Sequence, residues 1–245
     1  MRAFMIALQF LTCIPLPSHL KASEEELGKS MLFFPLVGLC MGGCLALAHI
    51  LFSSVLPVSV VDGMVITILV ALSGAIHLDA LADTADGMAG GKDREEKLRI
   101  MKDPRVGALG VVCVVLVLML KYGALVAMPR HLKYKALLLV PMIGRWSQVL
   151  VAYRSDYAGL TRGIGFTFTR QVTFFAVFST ALLVGAFAFY LFSLRGVLVA
   201  GLILFACLWY AAYFRRTLGG VTGDVLGAAT ELAEVVALIL LQMKF

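Results

Sequence analysis

The stretch HLDALADTADG occupies residues 77–87 and concentrates acidic side chains in an otherwise apolar chain. Asp79, Asp83 and Asp86 are four and three residues apart, so on a helix their carboxylates share one face. Like charges on one face repel one another, and their desolvation near a membrane adds a further cost. The spacing therefore predicts a helix whose carboxylates bind a divalent metal ion. The alternative is a solvated helix end at the membrane surface.

Glycines and bases follow this acidic stretch. Gly87, Gly90 and Gly91 supply flexible backbone that a ligand can approach closely. The next segment, residues 92–105, carries positive charge suited to phosphate groups. Its bases are Lys92, Arg94, Lys97, Arg99, Lys102 and Arg105. Arg99, Lys102 and Arg105 recur every three residues, which on a helix forms a row that we expect to face phosphate. Carboxylates, glycines and bases in this order indicate phosphoryl transfer.

The composition indicates a polytopic membrane protein. Hydrophobic residues make up 61% of the 245 positions and charged residues 15%, whereas a soluble domain is about half apolar and about a quarter charged. At roughly 20 residues per span, the chain has room for about six or seven transmembrane helices and for no separate soluble domain. We therefore predict an all-α membrane bundle that forms a single domain over residues 1–245, with the lipid bilayer as its partner.

The apolar runs predict where the helices lie. Residues 3–14 are too short to span and are expected to lie at the membrane interface or to enter the bilayer partway. In the first predicted span, Gly38, Gly42 and Gly43 favour close helix packing. The second span is expected to run straight into the acidic stretch, and the charged segment 92–105 to lie at the surface as a loop or interfacial helix. The predicted spans are about 31–55, 60–78, 106–128, 136–153, 171–193, 196–214 and 224–243.

The distribution of bases predicts the orientation in the membrane. Most Lys and Arg residues fall in segments that lie on the same side of the predicted bundle, and such an excess marks the cytoplasmic side. A cluster of bases at 121–135 is an exception. The net charge of +6 fits this asymmetry better than it fits nucleic-acid binding. The segments on the basic side are 18–30, 79–105, 154–170 and 215–223.

A second acidic group, Asp224, Glu231 and Glu234, lies in the last predicted span. Acids inside a membrane are costly and by default functional, facing a cavity or a partner. The alternative is a structural pairing with Arg145 or Arg154 from other spans. Arg145 itself either contacts a substrate or forms a salt bridge inside the bundle.

Two further features remain open from the residues alone. His77 is a metal ligand, a general base or a hydrogen-bonded orienting residue, or else a packed interfacial histidine. The glycine-flanked segment 159–165, with sequence GLTRGIG, is a second candidate anion-binding loop.

Several of these stretches together resemble one known family. The acidic motif at 77–87, followed by IMKDPRVGALG at 100–110, is similar to the signature of the cobalamin synthase family, also called adenosylcobinamide-GDP ribazoletransferase. The resemblance covers essentially the whole chain, and one departure is Ala80, where the family usually has Gly. Further matching segments are FLTCIPLP at 10–17, GRW at 144–146 and GGVTGDVLGA at 219–228.

The resemblance implies a magnesium-dependent enzyme in a bacterial or archaeal inner membrane, with its active site facing the cytoplasm. Such an enzyme joins adenosylcobinamide-GDP to α-ribazole or α-ribazole 5′-phosphate and releases GMP. The product is adenosylcobalamin or its 5′-phosphate, and this step completes the nucleotide loop. The expected partners are these small molecules and the bilayer, with no nucleic acid; a homo-oligomer is compatible with the sequence.

Combining residues and resemblance gives a specific site hypothesis. The expected Mg²⁺ ligands are Asp79, Asp83, Asp86 and Asp224. The general base is either Glu231 or Asp86, and His77 is a further catalytic candidate. The residues expected to bind substrate are Arg99, Lys102, Arg105 and Arg145.

Two other function classes compete with this hypothesis. The segment DTADG at 83–87 resembles the opening of the CDP-alcohol phosphotransferase motif, which indicates another magnesium-dependent membrane phosphotransferase. Intramembrane acids also serve cation- or proton-coupled transporters. Transporters often contain a pseudo-repeat with matching broken helices, and no such repeat is visible in this sequence.

Overall fold

The structure, a computed structural model, is all-α, as predicted from the sequence. It describes residues 1–14, 22–153 and 155–243; residues 15–17 of the FLTCIPLP segment and Arg154 lie outside these ranges. A short 3₁₀ turn, Met31–Phe33, joins the second and third helices. The helices are α1 Arg2–Leu11, α2 Glu24–Ser30, α3 Phe34–Phe52, α4 Val58–Ser73, α5 Ile76–Gly90, α6 Arg94–Ile100, α7 Ala108–Ala127, α8 Arg130–Tyr153, α9 Ile164–Gln171, α10 Phe174–Leu218 and α11 Gly223–Leu240.

The lengths and apolarity of these helices confirm a polytopic membrane bundle. Within the described residues, four helical segments are long and apolar enough to cross a membrane, and the bent pair α4–α5 raises the number to five. The last predicted span corresponds to α11, which is not among them because it carries three acids in 18 residues. The four segments are Glu24–Phe52, Ala108–Ala127, Arg130–Tyr153 and Phe174–Leu218.

The 45-residue helix α10 turns back on itself at Ser193, whose backbone dihedrals, φ 52° and ψ −140°, are not helical. A Cβ atom placed on Gly196 would overlap the carbonyl oxygen of Ala188. In a straight helix, residues eight positions apart are about 12 Å apart, so this contact requires the chain to fold back. The turn falls between the two predicted spans 171–193 and 196–214.

The prediction that the second span runs straight into the acidic stretch is wrong. Gly74 and Ala75 both have positive φ, 63° and 58°, and the helix axes on either side meet at 87°. A left-handed residue after the last helical turn is a common way for a helix to end. The acidic stretch therefore lies on a separate helix, α5, which crosses the direction of α4.

Helix α8 forms the centre of the bundle and packs closely against α3. A Cβ atom on Gly38 would lie 2.7 Å from the Cα atom of Met142, and one on Gly42 would lie 2.9 Å from the Cα atom of Leu138. Such distances leave no room for a side chain, so these glycines allow the two backbones to touch. The expected role in close packing is confirmed for Gly38 and Gly42 and is wrong for Gly43, which faces away from α8 with nothing within 4 Å of an added Cβ atom.

We expect Gly38→Ala to lower the free energy of unfolding by about 1–3 kcal/mol, because an added methyl group would push α3 away from α8. The matched control is Gly43→Ala on the same helix, where a Cβ atom would meet nothing within 4 Å. The control should unfold like the original chain or slightly later, since Ala favours a helix over Gly. Thermal unfolding in detergent measures both, and equal midpoints for the two variants would contradict close packing at Gly38.

Candidate functional site

A cavity of about 340 Å³ opens between α5, α8, α9 and α11. Its walls combine apolar side chains with a few polar ones, the usual composition of a small-molecule site. The apolar lining includes Phe10, Ile76, Phe168 and Leu226. The polar lining is His77, Lys102, Gln148, Tyr157 and Asp224, and glycines 163, 165, 223 and 227 complete the wall.

The two predicted acidic helices meet at this cavity. A Cβ atom on Gly227 of α11 would lie 2.5 Å from the Cβ atom of Ala80 on α5, so the helices approach closely there. Asp83 consequently lies within electrostatic range of Asp79 and Asp86 on its own helix and of Asp224 on α11. The structure thus brings Asp224 of the second acidic group near the carboxylates of the first.

Asp86 caps the start of α7. Its two carboxylate oxygens accept hydrogen bonds from the backbone N–H groups of Gly107 and Gly110, both at 2.7 Å. A carboxylate at a helix N-terminus satisfies otherwise unpaired N–H groups and interacts favourably with the helix dipole. A Cβ atom on either glycine would overlap this carboxylate. Asp86 therefore joins α5 to α7, a structural contact that the sequence analysis did not foresee.

Lys102 and Asp224 form an ion pair at the cavity wall. The Lys102 Nζ atom lies 3.1 Å from Asp224 Oδ2, and the Thr222 hydroxyl donates to the same oxygen at 3.3 Å. One expected phosphate-binding residue and one expected metal ligand thus lie side by side on the cavity.

The structure does not bring Arg99 and Arg105 to the cavity. Arg105 is 87% exposed and bonds to Asp103, with its Nη2 atom 2.8 Å from Asp103 Oδ2. Hydrogen bonds from Arg105 lower the pKa of the Asp103 carboxyl to about 2. Arg99 is 76% exposed and lies 3.7 Å from Glu96. The expected three-residue row breaks because α6 ends at Ile100, so these positions do not share one helix.

Glu231 and Glu234 belong to a buried charge cluster. The Lys121 Nζ atom lies 2.6 Å from Glu231 Oε2 and 2.5 Å from Glu234 Oε2, and Arg145 pairs with the other oxygen of Glu234. All four side chains are at most 8% exposed. The salt bridge inside the bundle, the alternative to a functional role, is therefore what the structure shows for Glu234 and Arg145. Neither Glu231 nor Arg145 lines the cavity. In the sequence, Lys121 is a lone base in an apolar run. A base buried in a membrane needs an acidic partner, and this was the signal that could have identified Lys121.

A second buried cluster contains Asp62, Lys133 and His49. Lys133 Nζ donates to both oxygens of Asp62, at 2.9 and 2.7 Å, and His49 Nε2 lies 3.1 Å from Asp62 Oδ1. Lys121 and Lys133 are thus buried and paired with acids, so they are not loop charges. This removes two of the bases that made 121–135 an exception to the orientation rule.

His77 is held in the cavity wall by α8. The Gln148 side-chain amide donates from Nε2 to His77 Nε2 at 2.9 Å and to Thr230 Oγ1 at 2.7 Å. Because Nε2 accepts in this arrangement, the ring proton of a neutral His77 is on Nδ1. The Nδ1 atom has no hydrogen-bond partner among the described residues.

In the arrangement of side chains described here, no three His, Cys, Asp or Glu residues are grouped closely enough to hold a metal ion. Two of the expected ligands are engaged elsewhere, Asp86 on the start of α7 and Asp224 on Lys102. The carboxylates of Asp79 and Asp224 lie within electrostatic range of Asp83.

Fold and site together define a polytopic membrane protein with a cavity between two acid-bearing helices, lined by Lys102 and Asp224 among others. The chain belongs to the family described as cobalamin-5-phosphate synthase, whose model matches residues 3–242. The family resemblance seen in the sequence motifs is thereby confirmed.

Curated relatives match over nearly their whole length. An adenosylcobinamide-GDP ribazoletransferase of Geotalea daltonii is 43% identical, covering 98% of this chain and 97% of the relative. Proteins of the same description from Syntrophobacter fumaroxidans and Pseudomonas fluorescens are 41% and 40% identical, with 96% and 98% of each chain covered. No solved structure matches the chain.

We expect Lys121→Met to destabilise the fold by about 3–5 kcal/mol, because it leaves the Glu231 and Glu234 carboxylates buried with one partner fewer. Adding Glu231→Gln should recover part of this loss, since it removes one unpaired negative charge. Lys135→Met, at an exposed position of α8, is the control and should unfold like the original chain. Thermal unfolding in detergent distinguishes these outcomes; an unchanged midpoint for Lys121→Met would show that the cluster does not stabilise the bundle.

Proposed function

We propose that this protein is an adenosylcobinamide-GDP ribazoletransferase that completes the nucleotide loop of cobalamin. The observation that carries the proposal is the full-length match to relatives of that description, together with a cavity lined by Asp224, which lies within electrostatic range of Asp83 on α5. Membership of this family argues against the transporter and the CDP-alcohol phosphotransferase, and no separate observation favours either.

The reaction transfers a phosphoryl group between two oxygens. The 3′ hydroxyl of α-ribazole, or of its 5′-phosphate, forms a new bond to the phosphorus nearest the cobinamide. The pyrophosphate bond at this phosphorus breaks, GMP leaves with the bridging oxygen, and the hydroxyl proton passes to a base. The protein has to hold the reacting atoms in line and to stabilise the negative charge that develops on the phosphates.

The donor set at the cavity edge suits Mg²⁺. This ion is usually held by one or two carboxylates together with substrate phosphates, and Asp79, Asp83 and Asp224 offer carboxylates without soft sulfur ligands. Asp83 is the central residue because both other acids lie within its electrostatic range. When bound, Mg²⁺ would neutralise phosphate charge. Asp224 would then exchange part of its contact with Lys102 for the ion.

Lys102 and Asp86 have complementary tasks in this proposal. Lys102 lines the cavity and contacts a phosphate oxygen. Asp86 accepts one backbone hydrogen bond on each oxygen, which leaves each oxygen a further lone pair for the hydroxyl proton. Glu231, the other base expected from the sequence, is buried and paired with Lys121, whereas Asp86 is only partly buried.

We place the cavity on the cytoplasmic side of a bacterial inner membrane. The basic segment 92–105 adjoins the cavity through Lys102, and bases of this kind accumulate on the cytoplasmic side. The bases at 121–135 were an exception to this orientation. Two of them, Lys121 and Lys133, pair with buried acids, which weakens that exception.

Replacing Asp83 by Asn should abolish release of GMP from adenosylcobinamide-GDP and α-ribazole 5′-phosphate while leaving thermal unfolding unchanged. The amide has nearly the same size but lacks the negative charge that binds the metal ion. Purified protein in detergent, assayed with and without Mg²⁺, provides the measurement. Glu25→Gln is the control, because Glu25 is exposed and pairs with Lys29 on α2.

Full Mg²⁺-dependent turnover by the Asp83→Asn variant would rule out the proposed role of Asp83. Absence of GMP release by the original chain, folded and supplied with Mg²⁺, would overturn the proposed function itself.

A further inference from the structure

The first turns of α9 and α11 meet at the cavity. Helix α9 begins after Gly163 and α11 after Thr222. A Cβ atom on Gly165 would lie 2.7 Å from the backbone nitrogen of Gly223. Only a glycine at position 165 therefore allows the two helix starts to approach this closely. Both starts line the cavity, through Gly163, Ile164 and Gly165 on one side and Gly223 and Asp224 on the other.

Several backbone donors at this junction have no acceptor in the part of the chain that the structure describes. The first N–H groups of a helix lack partners within the helix. In α11 the Thr222 side chain accepts from Val225 N, whereas the Gly163 that precedes α9 has no side chain to do so. Among the described residues, the N–H groups of Ile164, Gly165 and Gly223 donate to no protein atom. Such groups, with the positive ends of two helix dipoles, favour an anion.

A separate observation points to a ligand in the same cavity. His77 is 3% exposed and lines the cavity wall, yet its Nδ1 atom has no partner among the described residues. A buried donor without a partner costs free energy unless a ligand or water accepts from it. Lys102 adds a positive charge, and it also neutralises Asp224, the acid in the cavity lining.

We propose that this junction, made of the backbone N–H groups of Ile164, Gly165 and Gly223 with the side chains of Lys102 and His77, binds a phosphate group of a substrate. The identity of that substrate rests on the proposed function. The site gives the segment GLTRGIG at 159–165 a role in binding phosphate. Apolar walls beside the junction, from Phe10, Phe168 and Leu226, suit the rest of a ligand that carries both a phosphate and an apolar ring.

Two substrates carry a phosphate that fits this description. One is the 5′-phosphate of the acceptor, α-ribazole 5′-phosphate, and the other is the pyrophosphate of adenosylcobinamide-GDP. The two sources share the same chemistry, and kinetics with and without the acceptor phosphate separate them.

The test variant is Gly163→Asp. Position 163 has φ −125°, which any residue adopts, and a Cβ atom there would be 3.4 Å from the Tyr157 hydroxyl, an ordinary contact. An aspartate before α9 would cap its free N–H groups and place a negative charge where the phosphate binds. Because such a cap normally stabilises a helix, the variant should fold. Gly163→Ala adds the Cβ atom without the carboxylate and is the matched control.

Binding is measured first, without turnover. The two probes, α-ribazole 5′-phosphate and inorganic pyrophosphate, are tested separately. We expect at least one of them to raise the unfolding temperature of the original chain and of Gly163→Ala. The shift should be lost in Gly163→Asp. No shift with either probe, or equal shifts in both variants, would overturn the phosphate site whether or not the protein is a ribazoletransferase.

Kinetics then identify the source. For Gly163→Asp we expect the KM of one substrate to rise about tenfold or more, the effect of losing charge-assisted hydrogen bonds, with Gly163→Ala close to the original chain. If the KM rises for α-ribazole 5′-phosphate but not for α-ribazole, the site binds the phosphate of the acceptor. If the KM rises for adenosylcobinamide-GDP, the site binds the pyrophosphate of the donor. Unchanged KM values for all three compounds would overturn the inference while leaving the proposed function intact.

Discussion

The pairing of charges buried in the bundle is the constraint on which the rest of the structure depends. An ion without a partner inside a membrane protein is costly, so Glu234 has to meet both Lys121 and Arg145. These residues belong to α11, α7 and α8, and their contacts fix three helices relative to one another. Gly144 contributes by leaving space, since a Cβ atom there would lie 2.7 Å from Glu234 Cγ.

Fixing α11 in this way also fixes the cavity. The start of α11 carries Thr222 and Asp224, and its next turn packs Gly227 against Ala80 of α5. The acids near the cavity and the acids inside the bundle thus have different tasks on the same helix. Glu231 and Glu234 hold the helix in place with their charges satisfied, whereas Asp224 remains at the cavity wall, where a substrate or metal ion can reach it.

Small residues allow the polar groups to come together. Gly107 and Gly110 let the Asp86 carboxylate reach the backbone of α7, and Gly165 lets the starts of α9 and α11 meet. In each case a side chain would separate two elements that carry polar groups. Glycine is therefore the residue that converts a densely packed apolar bundle into one with an accessible polar cavity.

The sequence by itself determined the all-α membrane fold, most helix positions and the presence of an acidic group on each of α5 and α11, because hydropathy and helical spacing are local properties. The close approach of these two helices is a tertiary feature. Only the tertiary structure decided which charges are structural. Lys121 is far from Glu231 in the chain, and the break at Gly74 and Ala75, which gives α5 its own direction, depends on backbone dihedrals that an apolar run does not reveal. Ion pairs between distant helices follow from packing, and packing is not encoded in the spacing of any one segment.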